Sequence, residues 1–190
     1  MNKAARFLAG YIIEKGMVKE EDREVYEYGF TILMEMVSFV VFSVAVSLYL
    51  HMILEGILFF VIFIPLRSYA GGLHLKRFYA CFVLSCLTLG VILLITQNVN
   101  IPITVIVIAF LILEICVYAL YPVESTNREV DSVENRYFKK KLETFLAIHL
   151  VLVMVCAELK YDRCLVLIDA TYVMIVITMV IGKCSSKKQK

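Results

Sequence analysis

A histidine and a cysteine seven residues apart, His74 and Cys81, lie between two long apolar runs in the stretch that opens Arg67-Ser68-Tyr69-Ala70-Gly71-Gly72. A thiol is a good nucleophile only as the thiolate, and a nearby imidazole can take its proton, so this pair is the smallest kit for acyl transfer. Gly71-Gly72 lets the backbone turn sharply or approach a substrate closely, which an ordinary connector does not need. The same residue types also serve as a juxtamembrane histidine and a small buried hydrophobe, and residue type alone leaves both readings open. On an uninterrupted helix the seven-residue separation holds the two Cα atoms ~10 Å apart along the axis. Direct proton transfer needs heavy atoms roughly 3 Å apart. If the pair works together, His74 sits on a bent or re-entrant segment turned at Gly71-Gly72, over a helix that starts near Arg77 or Phe78. Cys81 then falls in about the first turn of that helix, where the dipole favours a thiolate.

The elements that must hold such a pair are membrane helices. Of the 190 residues 61% are hydrophobic and 19% charged, with mean hydropathy +0.83. Apolar runs at 31–50, 52–66, 78–96, 101–121, 144–159 and 164–182 predict about six spanning helices, since a span needs roughly 20 apolar residues and fewer when flanking side chains snorkel. The second and fifth runs are the shortest and carry Glu55 and His149. With six spans, all but Lys160 and Arg163 of the 19 Lys and Arg fall on one face, so the positive-inside rule puts both termini, and the His74/Cys81 segment, on the cytoplasmic side. The expected class is therefore an all-α integral membrane protein of the cell membrane, a single domain over residues 1–190.

Residues 1–30 are polar, without the apolar core of a signal peptide, and read as one or two short interfacial helices broken at Gly16, with Phe7, Leu8, Tyr11 and Ile12 on one side. The bilayer is the evident partner; nothing resembles a nucleic-acid-binding pattern. The cysteines Cys81, Cys86, Cys116, Cys156, Cys164 and Cys184 form no metal-ligand spacing and are expected as reduced thiols. No cofactor and no metal are called for. Glu35, Glu114, His149 and Asp169 interrupt apolar runs, where ionisable groups are costly and often functional. They support two readings, interhelical hydrogen bonding or the proton path of a small transporter. Glu114 and Asp169 are expected from their positions to be the most buried.

Arg67-x-Tyr69-Ala70-Gly71-Gly72-x-His74, followed by Cys81 and Ser85, and Pro122-Val123-Glu124-x-x-Asn127-Arg128 after the fourth run, resemble the accessory gene regulator B family of bacterial membrane cysteine endopeptidases that process quorum-sensing pro-peptides. The resemblance implies that Cys81 is the nucleophile and His74 its base. It implies as substrate a small precursor peptide, cut near its C-terminus through an acyl-enzyme thioester and closed into a thiolactone or lactone. Backbone N–H groups near Gly71 and Gly72, with Arg67 and Ser85, are candidates to stabilise the oxyanion. Pro122, Glu124, Asn127 and Arg128 are candidates to hold the precursor, with a plain helix stop and polar turn as the alternative. A second copy of the chain, giving a homodimer, is a further candidate partner. The family often places Pro after the residue matching Arg128, where this chain has Glu129-Val130.

Overall fold

The computed structural model describes residues 3–71, 78–122 and 132–187. Helix α1 (Lys3–Glu14) is followed by a short 3-10 turn (Glu20–Asp22), then α2 (Arg23–Tyr49), α3 (Ile53–Ala70), α4 (Phe78–Asn98), α5 (Ile103–Leu120), α6 (Ser132–Glu158) and α7 (Asp162–Lys187). The six apolar runs thus map one to one onto α2–α7.

Four of these helices are long and apolar enough to cross a membrane: the stretch Glu20–Tyr49, α3, α5, and Asp162–Cys184 within α7. In α4 the described apolar part is Val83–Asn98. The first half of α6 carries Arg136, Lys139, Lys140, Lys141 and Glu143, so only its second half is apolar. Of the two runs expected to be weakest, the second is a full-length helix, because it continues past Pro65 to Ala70. Membrane helices tolerate such a proline where neighbours satisfy the freed carbonyl.

Three helices end in the same way. Met17 N–H bonds to Ile12 C=O and Gly16 N–H to Ile13 C=O; Met52 bonds likewise to Ser47 and His51 to Leu48; Tyr161 bonds to Cys156 and Lys160 to Ala157. Each set is a Schellman stop, which requires one left-handed residue. Gly16 (φ 67°) fills that position freely, whereas His51 (φ 55°) and Lys160 (φ 56°) do so with a side chain. The last two close tight α2–α3 and α6–α7 hairpins. At the first of these Gly56 packs so closely on Ser47 that a Cβ would overlap it.

The stop at Gly16 also corrects the expected extent of the N-terminal segment. Residues 23–30 belong to α2, not to an interfacial helix, because a fresh helix begins after the acidic Glu20-Glu21-Asp22, and Arg23 pairs back onto Glu20. Helix α1 lies against α2 through Ala5 and Ala9, whose small side chains allow close approach, and Arg6 pairs with Glu27 at 3.8 Å. Phe7, Leu8 and Tyr11 face outward.

Helix α7 is the central element, packed against α3, α4, α5 and α6. Its contacts with α3, α5 and α6 enclose one core that includes Leu66, Phe110, Leu146 and Tyr172. Phe59, Leu89, Ile92, Leu93 and Leu167 form a second between α3, α4 and α7. Leu54, Ile115 and Val151 point outward with most of their surface exposed, as suits side chains whose solvent is lipid.

Candidate active site at one end of the bundle

Because the helices alternate in direction, the end of α3, the start of α4, the end of α5, the start of α6 and the end of α7 share one side of the bundle. Arg67 is partly buried in the last turn of α3 and Ala70 is buried. Helix α3 stops at Gly71, whose φ of 81° and ψ of −161° lie in a region that essentially only glycine occupies. Gly72 and His74 lie outside the described residues. Helix α4 begins at Phe78 and makes Cys81 its fourth residue, with a side chain outside the described part. Ser85, four residues on and therefore on the same face, is partly buried.

This end is pinned by aromatic and polar contacts that the motifs did not reveal. The Tyr69 ring stacks on Phe145 with centroids 5.6 Å apart and tilts against Phe138 at 5.9 Å, which ties the end of α3 to α6. The Tyr121 hydroxyl, just beyond α5, lies 2.6 Å from Asn135 Oδ1 and 3.0 Å from its main-chain oxygen. Lys183 Nζ donates to the Leu120 carbonyl at 3.1 Å, satisfying an orphan acceptor at the end of α5 with a cation suited to the dipole there. Lys139 sits 5.5 Å from the Tyr118 ring centroid. The signal available in the sequence was the cluster of aromatics at these helix ends, the usual interfacial belt. Pro122 is exposed, next to Tyr121 at the end of α5. Glu124, Asn127 and Arg128 lie outside the described residues, between the two anchors Tyr121 and Asn135.

The ionisable residues within the apolar runs divide differently from the expectation. Of Glu114, His149 and Asp169, it is His149 that is most buried, at 2% exposure, and its Nδ1 lies 2.9 Å from the hydroxyl of the fully buried Tyr172 across α6 and α7. Tyr172 also meets the Phe110 ring edge-on at 4.9 Å. Glu114 and Asp169 are only partly buried, and Asp169 Oδ1 has no hydrogen-bond partner among the described residues. A helix buries one stripe, and depth along an apolar run does not say which stripe that is. The Glu35 side chain lies outside the described part. No three of His, Cys, Asp and Glu gather to hold a metal ion among the described residues.

The family model for accessory gene regulator B matches residues 5–185, nearly the whole chain. No curated protein and no solved structure matches it.

Proposed function

The chain belongs to the accessory gene regulator B family, and from that premise we propose that it is a membrane-embedded cysteine endopeptidase with Cys81 as nucleophile and His74 as base. Membership carries a role in processing a quorum-sensing pro-peptide at the membrane. The observation that supports the finer chemistry is the end of α3. That helix stops at a glycine-only conformation at Gly71, and α4 has Cys81 in its first turn, with His74 between the two in sequence.

The Cys81 thiolate attacks the scissile carbonyl and His74 gives its proton to the leaving amine. The C-terminal tail of the precursor departs, and a thioester to Cys81 remains. A thiol or hydroxyl of the peptide then attacks that thioester, releases Cys81 and closes the ring. Exchange between thioesters is nearly balanced, so the site must exclude water, which a position at the bilayer edge favours. Arg67, Ser85 and the N–H groups near Gly71 and Gly72 are the proposed oxyanion donors. Pro122, Glu124, Asn127 and Arg128 are proposed to hold the precursor, between the anchors at Tyr121 and Asn135. The site faces the cytoplasm, where the precursor is made. Co-expression with a candidate precursor, followed by mass analysis of its fragments, tests the reading. A released C-terminal tail that depends on Cys81 supports it, and an uncut precursor sinks it.

A further inference from the structure

The basic stretch at the start of α6 is not used by the peptidase chemistry. Between positions 135 and 144 that helix carries Arg136, Lys139, Lys140 and Lys141 against a single carboxylate, Glu143. Among the described residues none of the three lysines is paired with a carboxylate. Glu143 instead accepts from the Tyr118 hydroxyl at 3.4 Å. Lys139 and Lys141 lie over the rings of Tyr118 and Tyr137, 5.5 and 5.6 Å from the centroids, and a ring restrains an ammonium without cancelling its charge. The register of α6 sets the depth of this charge. Tyr118 is in the last turn of α5, an 18-residue helix about 27 Å long, close to the thickness of the hydrocarbon core, so that turn falls at the membrane surface. Tyr69, in the last turn of α3, touches Phe138 and Phe145, which bracket the lysines in sequence. The lysines therefore sit beside the ends of α3 and α5 at headgroup depth, not on a stalk projecting into water.

Their direction follows from the helix repeat. Lys141 stands two turns before Ile148, and Lys140 three turns before Val151, each pair on one face. Ile148 and Val151 are 52% and 63% exposed, on the side of α6 that meets lipid. Lys140 and Lys141, both exposed, top that stripe. Helical side chains lean toward the N-terminus, which here carries the two ammonium groups away from hydrocarbon and toward the headgroups. We propose that Lys140 and Lys141 form a binding site for the phosphate of an anionic phospholipid, in the leaflet that the proposed orientation turns to the cytoplasm. Uncompensated positive charge at headgroup depth, above an apolar stripe that acyl chains cover, is complementary to a phosphodiester with its chains attached. Such a lipid fixes the depth of α6, of which only the second half is apolar.

Phosphatidylglycerol is the probe, with phosphatidylcholine and glycerol phosphate for comparison. Each is titrated into the full chain in detergent, and the bound species are resolved by native mass spectrometry. The wild type should take its first phosphatidylglycerol more tightly than its first phosphatidylcholine. Lys140→Gln/Lys141→Gln should weaken the first phosphatidylglycerol by roughly fivefold for each ammonium lost and leave phosphatidylcholine unchanged. Lys140→Arg/Lys141→Arg should keep wild-type binding, and so should Lys160→Gln/Arg163→Gln at the opposite ends of α6 and α7. An unchanged phosphatidylglycerol affinity in the Gln pair, or an equal loss of phosphatidylcholine, would overturn the site. The same loss in the Lys160/Arg163 variant would also overturn it, because net charge alone would then explain the binding. Glycerol phosphate bound as tightly as phosphatidylglycerol would make this a free-phosphate site and overturn the lipid.

Discussion

At the scale of single residues, the proposed base His74 and the buried His149 carry opposite predictions. His149 is enclosed by α6 and α7 and bonded to Tyr172, so its contribution is to packing and helix register. Truncation to Ala leaves the Tyr172 hydroxyl without that partner. Interhelical hydrogen bonds in membranes average about 0.6 kcal/mol and reach about 1.7. A double-mutant cycle on His149→Ala and Tyr172→Phe, read by unfolding in mixed micelles, should give a coupling in that range, with precursor cleavage at least partly kept. A coupling of zero would mean that the contact carries no stability. His74→Ala, by contrast, should abolish cleavage at near-normal stability, and thiol-reagent labelling of Cys81 should slow. Cys81→Ala should lower cleavage by at least ~10³-fold, as loss of a nucleophile does elsewhere, while the protein still accumulates. Cys86→Ala and Cys116→Ala should both leave cleavage largely intact. If Cys81→Ala still cuts, another residue is the nucleophile.

Among the elements, the ends of helices carry the most information. Gly71 adopts backbone angles that a Cβ forbids, so Gly71→Ala must either strain the stop of α3 or let the helix run on. A longer α3 would move His74 relative to Cys81. We expect slow acyl-enzyme formation with near-normal retention of the precursor, measured as cleavage and co-purification on the same preparation, most severely in Gly71→Ala/Gly72→Ala. Lost retention with unimpaired turnover would show instead that the glycines make room for substrate. The Schellman stops at His51 and Lys160 carry the opposite prediction. A left-handed residue with a Cβ costs roughly 1–2 kcal/mol. His51→Gly and Lys160→Gly should therefore raise the melting temperature or leave it unchanged, because relieved strain is offset by greater freedom of the unfolded chain. A marked loss of stability in either would mean that its side chain makes contacts that outweigh the strain.

For the whole molecule, α4 and α6 decide how many helices cross. Helices α4 and α6 fall short of the others in apolar length but pack within the same bundle, α4 on α2, α3 and α7, and α6 on α3, α5 and α7. A helix flanked by well-anchored neighbours can span with a shorter apolar stretch, its Lys and Arg snorkelling to the interface. In a background where the other cysteines are replaced, single cysteines at positions 67–77, 124–141 and 185–190 should react only from the cytoplasm, and those at 97–100 and 160–163 only from outside. External labelling of the C-terminal tail would overturn the six-span arrangement.

The helical class, the six apolar segments, the end of α3 at the glycine pair and the family itself were legible in the amino-acid order. Apolar run length, basic-residue asymmetry and the glycine pair are local signals that need no knowledge of neighbours. Tertiary packing decided what local signals cannot carry. It chose which stripe of each helix is buried, and so placed His149 and Tyr172 in the core while Glu114 and Asp169 stayed partly exposed. It made α1 a separate helix on α2 through two alanines, and drew residues 23–30 into the spanning element. It brought Tyr69 to Phe145 and Lys183 to Leu120. Such pairings depend on the relative rotation of whole helices, which is set by how side chains from several segments interlock at once.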